Sequence, residues 1–130
     1  VLLYACVPVR PAGLLDKMLL TLIDEKGDSI QSLSPVTKQH PAWLWDSLEN
    51  RDGGVIVPFQ EDSPCRRQDL QTLYYPDGAC TIVKYPFHAN PHDPRKFLGD
   101  ITLGFRTHGK VVDIDNEDDF KEAQKVLAVI

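Results

Sequence analysis

The spacing of apolar residues changes along this chain, and each change marks an element. Val1 to Val7 is almost continuously apolar, which predicts a strand buried on both faces. Pro8-Val9-Arg10-Pro11 ends it. Pro11 suits the first turn of a helix, and Leu14, Leu15, Met18, Leu19, Leu22 and Ile23 recur at helical spacing as its apolar face. Gly27 predicts the stop. Ser29 to Val36 then alternates as a strand does, through Ile30, Gln31, Ser32 and Leu33. Strand, helix and strand in this order predict an α/β fold around a parallel sheet.

The middle of the chain is less regular. Pro41 to Leu48, with Trp43 and Trp45, reads either as a short helix or as an aromatic-rich loop. Asp52-Gly53-Gly54 predicts a turn before a short strand at Val55 to Phe59. Pro64 to Leu70 is expected to be extended and basic. Pro76-Asp77-Gly78 predicts a second turn, followed by a strand at Ala79 to Lys84. Pro86, Pro91 and Pro94 leave no room for a long element between 86 and 95. Ile101 to Arg106 and Lys110 to Ile114 predict the last strands, and Asp118 to Val129 the closing helix. There is no internal repeat and no low-complexity segment.

The chemistry concentrates where strand is expected to give way to helix. Asp113 and Asp115 are two apart on an apolar stretch, so both carboxylates fall on one face. Two adjacent negative charges need a cation nearby. Mg²⁺ suits them, because it takes one or two carboxylates and completes its shell with water and phosphate oxygens. The same residues have a second reading. Asp115 or Asn116 would serve as a helix N-cap, and Glu117, Asp118 and Asp119 complement the positive end of a helix dipole. Both readings stand on these residues alone.

Composition limits the partners. The chain has 130 residues, 42% hydrophobic and 25% charged, with a net charge of −5. That describes one globular domain spanning residues 1–130. The acidic balance argues against nucleic acid or an anionic membrane as partner. An anionic substrate must therefore meet a local cluster of Arg or Lys, or a metal. Cys6, Cys65 and Cys80 are odd in number and form no CxxC pair, which predicts reduced thiols and a cytoplasmic setting. No stretch has the length of a membrane span, and the short apolar start carries no basic segment of a signal peptide. Cys80 with His88 and His92 is a weaker metal set, because Pro91 breaks the helical spacing of the two histidines.

Four short segments, in order, carry a resemblance. They are Leu2-Leu3-Tyr4-Ala5-Cys6-Val7-Pro8-Val9-Arg10, then His40-Pro41, then Arg66-Arg67-Gln68-Asp69-Leu70 with Tyr74-Tyr75-Pro76-Asp77-Gly78-Ala79, and finally Asp113-Ile114-Asp115 with Ala123. Together they resemble the acylneuraminate cytidylyltransferase family, whose pattern reads Leu-Leu-Gln-Pro-Thr-Ser-Pro-Leu-Arg, His-Pro, Arg-Gln-Asp-Leu and Asn-Gly-Ala at these places. The resemblance implies a Rossmann-like α/β fold with a mixed sheet of the nucleotide-diphospho-sugar transferase type. It implies a homodimer that uses Mg²⁺ to transfer CMP from CTP to the anomeric hydroxyl of an acidic sugar, with release of pyrophosphate. The acceptor would be sialic acid or a related nonulosonic acid. By motif position, Asp113 and Asp115 would hold the metal, and Arg10 would join them at the catalytic centre. Arg66, Arg67, Gln68, Tyr4 and Thr81 would face the substrate.

The chain also departs from the pattern. Tyr4 replaces the sugar-facing Gln, Cys6-Val7 the Thr-Ser pair, Asp77 the Asn, and Thr81 a Tyr that often follows. Trp43 stands where some members place a Lys after His-Pro. The Gly-rich, basic loop that cradles the CTP phosphates in the family has no counterpart here. The resemblance therefore casts this chain as the C-terminal portion of such an enzyme, lacking its N-terminal part.

Overall fold

The computed structural model describes residues 1–49, 51–86, 92–93 and 95–129. The chain forms two compact units, one of residues 1–34 and 76–130, the other of residues 35–75. Across both, the elements are mixed α and β. Helix α1 is Leu14–Asp24, and the strands are β1 (Ser29–Pro35), β2 (Trp45–Ser47), β3 (Ile56–Pro58), β4 (Tyr74–Val83) and β5 (Thr102–Arg106). Helix α2 is Glu117–Leu127.

The larger unit is organised by a three-stranded sheet of order β4-β1-β5. β1 and β5 are parallel, with Ile30 opposite Leu103 and Ser32 opposite Phe105. β4 runs the other way: the Lys84 N–H donates to the Asp28 carbonyl, and the Cys80 N–H donates to Ser32 Oγ. The sheet is therefore mixed, as the resemblance implied, and only its β1–β5 half follows the all-parallel expectation. Leu14, Met18 and Leu22 of α1, at i, i+4 and i+8, meet Val7, Ile30, Ala79, Cys80 and Ile82 in the main core. A smaller cluster joins Val9, Val112 and Ala123 of α2.

Several expectations change at this level. The helix begins at Leu14 rather than at Pro11, whose carbonyl instead accepts the Leu14 N–H. Its buried stripe is narrower than expected, because Leu19 and Ile23 stay exposed. Gly27 is not the left-handed stop; that conformation falls on Lys26. Gly27 is buried where a Cβ would stand 2.8 Å from the Leu103 side chain, so a larger residue would have to displace Leu103.

Val1 to Val7 is not a continuous strand. Only Leu2 pairs, in one bridge to Thr81, and residues 1–6 are exposed while Val7 is buried. Lys110 to Ile114 likewise reduces to a bridge between Val112 and Val9. Both segments are apolar enough for strands but find only one ladder position each. β4 is longer than expected and runs through the Pro76-Asp77-Gly78 turn, which a single left-handed residue absorbs, Gly78 at φ 73°. Residues 87–91 and 94, most of the proline-rich loop, lie outside the described residues.

The smaller unit carries the antiparallel pair β2–β3, with Asp46 opposite Val57. Pro41 to Leu48 resolves into a 3₁₀ turn at Pro41–Trp43 followed by β2, and Arg67–Asp69 forms another such turn within the stretch expected to be extended. His40 is buried and locks the first turn. Its Nδ1 accepts the Ala42 N–H at 3.1 Å, so Nε2 carries the proton and donates to the Gln71 carbonyl at 2.9 Å. The Trp43 indole N–H is spent on the Pro64 carbonyl at 2.9 Å.

The most consequential buried group is Asp77, only 7% exposed. Burial alone would raise its pKa. The hydroxyls of Ser32 and Ser34 and the Ala79 N–H outweigh burial and hold it below the ordinary value. A lowered pKa stabilises the fold in full above the unfolded value near 3.8, and that stabilisation is lost as pH falls through the folded value. Urea midpoints should therefore hold steady from neutrality to about pH 5 and fall below about pH 4. In Asp77→Ala, the hydroxyls of Ser32 and Ser34 and the Ala79 N–H lose their acceptor, and stability at neutral pH should drop by about 1–3 kcal/mol. An unchanged midpoint would refute the role given to Asp77.

Candidate functional site

Residues 110–116 bring a short extended segment to the start of α2. Val112 pairs with Val9, and the Ile114 N–H donates to the Cys6 carbonyl at 2.8 Å. Lys110 forms an ion pair with Glu122 of α2. Val112 is buried and Ile114 half-buried, while Asp113 and Asp115 are exposed. The alternation expected of a strand thus survives with a single bridge, and the two carboxylates face water together.

The capping question resolves in favour of other residues. Asn116 Oδ1 accepts the N–H groups of Asp118 and Asp119 at 2.9 and 3.0 Å. The Asp119 carboxylate reaches back to the N–H groups of Asp115 and Asn116, both at 3.1 Å. This is a capping box, and it satisfies the first turn without the side chain of Asp113 or Asp115. Neither carboxylate has an ion-pair partner among the described residues.

Their charge registers on a neighbour. The Cys6 thiol is held above its usual pKa, first by a hydrogen bond to Asp113, then by partial loss of hydration and by the negative charges of Asp113 and Asp115. Cys6 therefore stays a thiol, a poor ligand for a hard cation. No three His, Cys, Asp or Glu side chains among the described residues form a closed metal cage. Two uncompensated carboxylates open to solvent are a donor set that fits Mg²⁺, which keeps much of its water and takes phosphate oxygens. The fit rests on those oxygen donors.

The other expected site residues of this unit have defined surroundings. Arg10 donates from Nε to the Ala79 carbonyl at 2.7 Å and from Nη2 to the Tyr4 carbonyl at 2.6 Å. It ties the turn at residues 4–7 to β4. The Tyr4 ring is exposed. Thr81 is buried, and both its backbone groups pair with Leu2. Tyr4 and Arg10 are thus brought together, as are Cys6 and Asp113. The signal for Cys6 was its departure from Thr in the motif, and nothing in its local sequence marked the contact.

In the smaller unit, Arg66, Arg67 and Gln68 are exposed around the Arg67–Asp69 turn. Arg67 Nη2 donates to the Thr37 carbonyl at 2.9 Å, which pins the guanidinium and leaves its other donors for a ligand. No ion pair among the described residues involves Arg66 or Arg67. For the weaker metal set, His88 lies outside the described residues, and Cys80 is buried in the main core.

Three N-acylneuraminate cytidylyltransferases of Streptococcus agalactiae, from serotypes V, III and Ia, are each 31% identical to the chain over 121 residues. This chain is similar to the N-acylneuraminate cytidylyltransferases. The alignment covers 92% of the chain, so the resemblance extends well beyond the four motifs. The chain spans 28% of the length of these cytidylyltransferase relatives. It matches no protein-family model. No helix among the described residues is long and apolar enough to cross a membrane.

The division of labour between cap and carboxylates is testable in the chain itself. Asn116→Ala should lower thermal stability by about 1 kcal/mol through loss of the cap. It should leave Mn²⁺-induced broadening of the Asp113 and Asp115 resonances intact. Loss of that broadening in the folded Asn116→Ala chain would merge the two roles that the geometry separates.

Proposed function

We propose that this chain is part of a cytidylyltransferase, in which it helps transfer CMP from CTP to the anomeric hydroxyl of an acidic sugar. The carrying observation is the similarity to N-acylneuraminate cytidylyltransferases along nearly the whole chain. The open carboxylate pair at Asp113 and Asp115 supports it. In the reaction, the sugar hydroxyl oxygen bonds to the α-phosphorus of CTP, the bond to pyrophosphate breaks, and the hydroxyl proton passes to solvent. Such a displacement asks for positioning and charge neutralisation rather than a protein nucleophile.

Asp113 and Asp115 would hold Mg²⁺, which when bound neutralises charge on the phosphates. Arg67, with Arg66 and Gln68 beside it, would bind the acidic sugar, because a guanidinium pairs with a carboxylate through two parallel hydrogen bonds. Arg10 would act by holding Tyr4 and the turn after it in place. Tyr4 would face the sugar with its exposed ring, and Thr81 would contribute from within the sheet. Sialic acid or a related nonulosonic acid is the proposed acceptor.

A homodimer is part of the same proposal. Trp45, Leu48, Val55, Ile56 and Phe59 are all exposed on or beside the β2–β3 pair. A two-stranded pair is marginal alone, and a clustered apolar surface marks an interaction site. A second reading is a relative that binds the sugar without transferring CMP. Arg10 favours it, since two of its donors are committed to backbone carbonyls instead of a ligand.

The deciding experiment follows pyrophosphate release from CTP, with Mg²⁺ and a panel of nonulosonic acids, in the whole protein that carries this sequence. One sugar should support release. Asp115→Ala should slow it by about a hundredfold or more while the circular dichroism spectrum stays the same. Full activity in the variant would remove Asp115 from the metal site. Sugar binding without any release would favour the second reading.

A further inference from the structure

The smaller unit holds a cavity of about 450 Å³ whose walls include both tryptophans of the chain, Trp43 and Trp45. Local structure fixes these walls. Trp45 opens β2 and stands opposite Pro58 of β3, which also lines the cavity. Trp43 ends the turn that His40 caps, where its backbone N–H donates to the His40 carbonyl at 2.9 Å. Its indole N–H is bonded to the Pro64 carbonyl, so the edge of the ring is occupied and its orientation is set in advance of a ligand. Both indoles remain open to solvent, Trp43 by 38% and Trp45 by 60%. The charged side chains of the lining are Glu61 and Asp62, and no Lys, Arg or His among the described residues joins them. Neither carboxylate takes part in an ion pair among the described residues.

We infer that this cavity binds a small organic cation of the methylated ammonium class, with Trp43 and Trp45 as aromatic walls and Glu61 and Asp62 as counter-charges. The face of an aromatic ring attracts a cation within about 6 Å of its centre, and indole does so most strongly. A methylated ammonium suits such walls better than a metal ion does. Its charge is spread over methyl groups that pack on the rings, and it gives up little hydration on entry. Two carboxylates without a neighbouring cation also set the sign of the ligand, since a phosphate or a sugar carboxylate would be repelled. The ligand is therefore opposite in charge to the one proposed for Arg66 and Arg67, and the inference does not rest on the transferase reading.

The test uses the full 130-residue chain, in which Trp43 and Trp45 are the two tryptophans, so indole fluorescence reports on this cavity. The probes are choline, its uncharged carbon isostere dimethylbutanol, and sodium chloride at matched ionic strength. Choline should change the emission saturably, and the isostere should bind about tenfold more weakly. Sodium chloride should leave the emission as it was. Glu61→Gln combined with Asp62→Asn should weaken choline by about tenfold and bring it level with the isostere. Both positions are exposed, and the circular dichroism spectrum of the double variant should stay the same. Equal binding of choline and the isostere would leave an apolar cavity without a preference for charge and overturn the inference. A sodium effect as large as that of choline would reduce the response to screening and overturn it too. A flat choline titration, or undiminished choline binding in the folded double variant, would do the same.

Discussion

Asp77 sits inside the larger unit with its carboxylate ionised and, among the described residues, no cation paired with it. Hydroxyls and a backbone N–H take the place of water around it. Such a group is tolerable only if every bond is made, so the network fixes where its donors stand. Ser32 gives its proton to Asp77 and takes the Cys80 N–H, which sets β4 against β1. The next residue, Gly78, has a positive φ, and a Cβ there would stand 3.3 Å from Val7. That register also fixes the Ala79 carbonyl, which accepts from Arg10. Arg10 in turn holds Tyr4 and its turn, and the Cys6 carbonyl in that turn receives the Ile114 N–H. The carboxylates of Asp113 and Asp115 are thus placed by a series of polar contacts that begins at Asp77.

This dependence explains what the sequence reveals and what it hides. Helix α2 and the strands β1 and β5 are legible because their signals are local: a capped acidic start in the first case, apolar alternation in the others. The pair Asp113 and Asp115 is legible for the same reason, since alternation survives even with one bridge. Val1 to Val7 and Lys110 to Ile114 misled because strand-like composition does not supply a neighbour to pair with. Pro76-Asp77-Gly78 has the chemistry of a turn, yet the chain continues as strand because Asp77 is bonded across to β1. Its burial, like the contact of Cys6 with Asp113, depends on residues more than forty positions away in sequence and has no local signature.

The smaller unit relies on different restraints. It lacks a sheet large enough to bury β2 and β3, and much of its apolar surface is exposed. What it has are single polar ties across its loops: His40 to Gln71, Trp43 to Pro64, and Arg67 to Thr37. The first satisfies a buried imidazole, the other two lie at the surface, and each ties one loop to another through a single bond. His40 was legible only as part of a motif, and its double bonding gives that motif a structural reason. Trp43 presents its indole N–H to the Pro64 carbonyl to the same end.

Both candidate sites share one property, which bears on how they would work. Asp113 and Asp115 stand in water, and so do Arg66 and Arg67. At that exposure, charges interact weakly, because solvent screens them. Phosphates and an acidic sugar would change the setting by covering these groups and displacing the water around them, which strengthens each pairing. The charges would therefore act mainly when ligand is present, and the unliganded chain carries them at little cost to its stability. Asp77 shows the opposite arrangement: a buried charge, bonded to two hydroxyls and a backbone N–H, that supports the fold. Placing one aspartate inside and two outside lets the same residue type hold the sheet together and present an open site.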